Sequence, residues 1–195
     1  MSATNAPFGL RPEQSGQGYG TRGQRAIPGG IKSGYNTAIY QHQPIKMTTT
    51  GVINPVSATS DAFVGVFIGV EYTDSNGKRV VSNQWIANTV ATDIVAYIID
   101  DPYAIYEIQA DGSVAAEDTL TTAVGACVNF TNLTANGGGM SQCTANHTPV
   151  ATGGTQGQLL IIDKGYGVDN DWGDTYTVLR VRVQYHQFLA AKTSI

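Results

Sequence analysis

The sequence predicts an all-β fold: a single antiparallel β-barrel or sandwich body, with an extended N-terminal arm and a Gly/Thr/Asn-rich loop excursion. Three observations lead there. Apolar residues fall in short runs separated by turn chemistry. The clearest run, TYTVLRVRVQYHQ (175–187), alternates with period two. No segment shows a 3.6-residue apolar period over three turns.

Residues 1–33 read as the arm. Pro7, Pro12 and Pro28 preclude a regular helix, and Gly16, Gly18, Gly20 and Gly23 raise the entropy of ordering it. Fully extended, thirty such residues reach at most about 100 Å. The β-rich body, residues 34–195, begins with the change of texture at Tyr35. Strands are expected over 35–40, 44–48, 63–73, 78–86, 93–100, 104–109, 158–163 and 175–187. In the last, Thr177, Leu179, Val181, Val183 and Tyr185 share one face, and Tyr176, Val178, Arg180, Arg182 and Gln184 share the other. Asn76-Gly77 predicts a tight hairpin turn, and Asp100-Asp101-Pro102 and Asp111-Gly112-Ser113 predict further turns. Residues 125–157 form the excursion, an exposed loop or β-excursion. Residues 169–174 suit one short helical turn.

Charged residues make up 13% of the chain, about half the roughly 25% of typical globular proteins, which shifts the expectation towards assemblies. The charge is unevenly placed. Residues 1–50 carry five cations and one acid, residues 51–175 three cations and fourteen acids, and residues 176–195 three cations and no acid. A basic arm beside an acidic body suits docking on its own body or on a neighbour's. It fits poorly with a nucleic-acid binder, whose footprint is usually a basic face. No apolar run reaches the length of a membrane span, and the first residues lack the pattern of a signal peptide. Cys127 and Cys143 then read by default as reduced thiols, with a late disulfide as the alternative.

The reactive motifs are weak. Gly18-Tyr19-Gly20-Thr21-Arg22-Gly23 matches a dinucleotide fingerprint in letters only, because no strand precedes it and no acid lies between Glu13 and Asp61. Arg22 and Arg25 alone would bind RNA weakly and with strong salt sensitivity. His42, His147 and His186 are widely separated, and Cys127, Cys143 and His147 lack a fourth ligand for zinc. Asp169, Asp171 and Asp174 lack the glycine and terminal glutamate of a calcium loop, so a capped turn is the better reading. Adjacent Asp100 and Asp101 would face opposite ways on a strand. No catalytic residue, metal ligand or cofactor is assigned, and no enzyme activity is expected.

Four stretches carry a resemblance: NAPFGLRP (5–12), GVFIGVEYTDSNGK (65–78), ANTVATDIVAYIIDDP (87–102) and DNDWGDTYTVLRVRVQYHQ (169–187). Together they resemble the head decoration, or cement, proteins of tailed bacteriophages, particularly short-tailed ones. The match covers most of the chain in order and is poorest over 125–150. The resemblance implies a β-rich body that forms a homotrimer on the outer surface of an icosahedral capsid. It further implies contacts where neighbouring major capsid proteins meet; from the charge distribution and the lack of an apolar span, no nucleic-acid or membrane partner is expected.

On that reading the arm is the capsid clasp, ordered on docking, and its removal is expected to leave the body folded. Phe8 and Leu10 are its candidate apolar anchors, and Arg11, Arg22 and Arg25 its candidate partners for acidic groups. The alternative is a carbohydrate- or receptor-binding β module of a tail or fibre, stacking ligands on Trp85, Tyr103, Tyr106 or Trp172.

Overall fold

The computed structural model describes residues 4–14, 23–114, 124–150 and 157–189. Within them every element is a strand, turn or bridge, and every strand pair is antiparallel. The fold is all-β, as the sequence predicts. In chain order the strands are β1 (Arg11–Gln14), β2 (Gln24–Pro28), β3 (Pro44–Met47), β4 (Ile53–Pro55), β5 (Gly65–Asp74), β6 (Arg79–Ser82), β7 (Ala91–Ile99) and β8 (Ile105–Gln109). The excursion contributes the two-residue strands β9 (Cys127–Val128), β10 (Phe130–Thr131), β11 (Asn136–Gly137), β12 (Met140–Ser141) and β13 (Thr144–Ala145). Long strands β14 (Leu159–Lys164) and β15 (Val178–Val183) follow.

Two sheets result. The first has the order β1-β8-β15-β14-β9; the second has the order β2-β7-β5-β3-β4, with β6 also paired to β5. Between them lies a shared core: Tyr106, Ile108, Leu159, Leu179 and Val181 from the first sheet meet Val66 and Ile99 from the second. The opposite face of the second sheet is also covered. Ile45, Phe67, Val70, Ala96 and Ile98 pack there with Ile31, Ile39 and Trp85 from the connecting segments.

The second sheet is therefore a middle layer, which explains why GVFIGV is apolar at nearly every position instead of alternating. The register shift between Phe67 and Gly69 changes which parity faces which core: Phe67 before it, and Val70 and Tyr72 after it, lie in the same cluster. Full burial of such side chains stabilises the fold by roughly 1.5–3 kcal/mol each. The rings also pair edge-on, Phe63 with Phe130 at 5.2 Å and Tyr72 with Trp85 at 5.6 Å.

The β5–β6 hairpin forms at the expected Asn-Gly. Asp74 and Lys78 close it, Gly77 takes φ 76°, and the Asp74 carboxylate accepts from the backbone of Asn76 and Lys78. On β15, Leu179, Val181 and Val183 face the core as expected. Arg180 is also buried, although it belongs to the polar face. Its guanidinium donates to Glu13 at 2.8 Å and to the Tyr166 hydroxyl at 2.8 Å, and both cover it. Residues 35–40 make only one bridge, Ile39 to Trp85, and residues 169–174 form turns and no helix.

The N-terminal residues lie along the chain's own body. Arg11–Gln14 forms the edge of the first sheet against β8, and Gln24–Pro28 forms the edge of the second against β7. The excursion is likewise no simple exposed loop. Val128, Phe130, Cys143 and Ala145 are buried in the shared core, while Gly138 and Gly139, both at positive φ, turn the β11–β12 hairpin at its tip.

Candidate binding surface and cleft

Of the arm residues singled out in the sequence, Leu10 is fully buried in the shared core, so it is a core residue of its own body. Its backbone donates to His42 O at 2.9 Å. Gly9, at φ 74°, lets the chain pass so close that an added Cβ would lie 2.7 Å from the same oxygen. Phe8 is half-buried, with the Arg11 guanidinium 4.5 Å from its ring centre. Arg11 is paired with Glu107 on β8, and Arg25 with Asp100 at 3.0 Å. Arg22 lies outside the described residues. The basic segment and the acidic body thus meet within one chain, through half-exposed ion pairs beside the edge strands.

The aromatic candidates divide sharply. Trp85 and Tyr106 are fully buried and offer no face to a ligand. Trp172 is half-buried against the shared core, and Tyr103 is exposed. Among the described residues, the Tyr106 hydroxyl is buried with no hydrogen-bond partner. Burial drives its pKa far up, with Asp101 and Asp100 adding to the rise.

Other polar groups serve the framework. Asp111 accepts from the His147 backbone and Thr131 and meets the His147 ring at 2.7 Å. Burial raises the Asp111 pKa, but the His147 and Thr131 hydrogen bonds outweigh it and hold the carboxyl low. Cys127 and Cys143 are both free thiols. Burial pushes the Cys143 thiol up to about 11, so it is protonated and unreactive at neutral pH. Asp171 accepts from Lys164, and its backbone donates to the Asp174 carboxylate, the hydrogen bonding of a capped turn. Among the described residues no three His, Cys, Asp or Glu side chains converge as metal ligands.

His186 sits at a bridge to Phe63, where the two sheets meet. Its Nε2 lies 2.8 Å from Val64 O, and its Nδ1 accepts from the Phe188 backbone, which fixes the neutral tautomer. Burial lowers its pKa, and the nearby Asp100 and Asp101 do not offset that.

Two surface features remain. One is an exposed apolar group on β6 and the connection after it: Val81 is 76% exposed, Ile86 59% and Val90 67%. The other is a cleft of about 440 Å³ between residues 35–46, residues 54–57 at the end of β4, and the 133–136 segment of the excursion. Neither was singled out in the sequence, because both are assembled from separated segments with no local motif. No protein-family model matches the chain, and neither the curated proteins nor the solved structures include a match.

Proposed function

We propose that the chain is a structural protein of a virus particle, decorating and stabilising an icosahedral capsid by binding where major capsid proteins adjoin, as a homotrimer on the outer surface. The exposed apolar side chains of Val81, Ile86 and Val90 carry the reading, because they give a weakly charged β body apolar surface suited to association. The resemblance over 5–12, 65–78, 87–102 and 169–187 supports the capsid as the partner. Contact is assigned to this group and not to Leu10, which the protein's own core consumes.

A protein that binds only the assembled shell stabilises it through linkage, by about 2.7 kcal/mol per site at a free concentration 100 times Kd. Linking three footprints in a trimer raises the effective concentration of each. The test is to mix purified protein with undecorated heads and measure the pressure and temperature at which they break. Decorated heads are expected to break later, and Val81→Lys/Ile86→Asp to lower occupancy without altering the free protein's Tm. Equal breaking thresholds for decorated and bare heads overturn the reading.

A further inference from the structure

We propose that the cleft between residues 35–46, 54–57 and 133–136 binds a neutral saccharide. Its volume, about 440 Å³, falls at the low end of the roughly 300–1,000 Å³ range of small-molecule sites. Tyr35 and Tyr40, both half-buried, are the aromatic residues of the lining, and Tyr35 also packs against the second core. Amides come from Asn54, from Asn136 and from Gln43, which is only 5% exposed. Such a lining presents apolar rings beside uncharged donors and acceptors, matching a molecule whose ring carries C–H faces and hydroxyl edges.

Charge decides against other ligands. Lys46 is the one cation in the lining, and its Nζ donates to Asp61 at 2.8 Å. Asp61 also accepts from the Ser57 and Ala58 backbones, so an anion would have to pull Lys46 out of a pair already built into the 57–61 turn. A wholly apolar ligand would instead take water from the polar residues of the lining, Thr37, Asn54 and Thr134 among them.

The walls are held before anything binds. Gln43 Oε1 accepts from the Tyr40 backbone at 2.9 Å, and its Nε2 reaches Leu133 O at 3.4 Å, joining the two sides. Tyr35 O accepts from Trp85 Nε1 at 3.3 Å and from the Asn88 backbone at 2.8 Å, which ties that segment to the core behind it. The excursion wall is closed by Ala135 O accepting from Gln142 at 2.8 Å. A preformed cleft spares the ligand the cost of ordering loops. The 125–157 excursion thereby gains a role, as one wall of a site. This inference stands apart from the capsid reading, since it concerns a different surface and requires no assembly.

The experiment is a titration of ¹⁵N-labelled protein with maltotriose, chitotriose, dextran and trigalacturonate, followed by amide shifts. At least one neutral probe is expected to give saturable shifts confined to residues 35–46, 54–57 and 133–136. Dextran binding more tightly than the trimers identifies the ligand as part of a long surface chain; equal affinity identifies a short saccharide. Tyr40→Ala is expected to weaken binding about tenfold. Asn136→Ala, at an exposed position of the two-residue strand β11, is expected to weaken it several-fold. Absence of shifts with all three neutral probes, tighter binding of trigalacturonate, or unchanged affinity in both variants each overturns the proposal.

Discussion

Leu10→Ala separates a residue that builds the body from one that reaches out to a partner. Leu10 is 0% exposed and packs in the core shared by the two sheets. Removing Cγ and both Cδ at about 0.8 kcal/mol per buried group costs roughly 2.4 kcal/mol. The cavity left behind raises this, because Gly9 and Leu10 are fixed against His42 and cannot collapse inward freely. Measured Leu→Ala changes in rigid cores run at about 2.7–5.0 kcal/mol. With an m value of about 2 kcal/mol/M, a loss of about 3 kcal/mol moves the urea midpoint down by about 1.5 M. Equilibrium urea unfolding followed by tryptophan fluorescence reads this directly, since Trp85 is buried and loses its environment on unfolding. A midpoint unchanged within about 0.2 M would show that Leu10 does not reside in the core, and the packing of the segment leading into β1 against the body would fall. The same logic reverses the sequence expectation for truncation. Deleting residues 1–30 removes β1, β2 and Leu10 together, and the remainder is expected to lose its cooperative transition.

Gly65→Ala places a Cβ 1.9 Å from Ile99 O at φ 150°, so it is expected to cost about 3 kcal/mol or more, measurable as a loss of soluble folded protein or a large fall in Tm. Tyr106→Phe removes a buried hydroxyl that has no partner among the described residues, and stability is expected to rise by about 1 kcal/mol; a loss of that size would show that the hydroxyl is satisfied. His186 has a folded pKa below its ordinary value, so its stabilising contribution is fully present above about pH 6.5 and is lost as pH falls from there through the folded pKa. Urea midpoints measured from pH 7.5 to 5 are expected to fall in the native protein and to fall less in His186→Gln; parallel curves would exclude the histidine as the source.

The long strands were legible because each faces a core over its whole length. Residues 63–73 and 175–187 announce themselves through an apolar run and an alternation, and β5 and β15 formed there. The N-terminal strands were not legible, for a physical reason. β1 and β2 are sheet edges, and edges accept proline and bury few side chains. Pro12 pairs opposite Tyr106 and Pro28 opposite Val95, and β2 is exposed at every position except half-buried Ile27. Two of the three prolines read as evidence of an arm, Pro12 and Pro28, were marking edges. Arg180 shows the same limit: alternation placed it on the outer face, but its cover, Glu13 and Tyr166, comes from sequence-distant segments. The cleft was illegible throughout, since its walls come from residues 35–46, 54–57 and 133–136.

The sheet edges themselves differ in a way that bears on association. An edge strand offers unpaired backbone groups to any neighbouring chain, and proteins blunt such edges with proline, charge or brevity. β1 carries Pro12, β2 carries Pro28, β4 ends at Pro55, and β9 is two residues long. β6 has no proline. Its one charge, Arg79, is drawn to Glu71 at 2.7 Å, and its Val81 is 76% exposed. Four edges are therefore protected against pairing, while β6 keeps an apolar side chain on its surface. A protein that lived alone would gain by blunting this edge as well, through a lysine or proline at position 81. That valine stands there instead supports β6 as the edge that meets another chain, and Val81→Lys is expected to reduce self-association and shell binding together if one surface serves both. Loss of one with retention of the other would assign β6 to that contact alone.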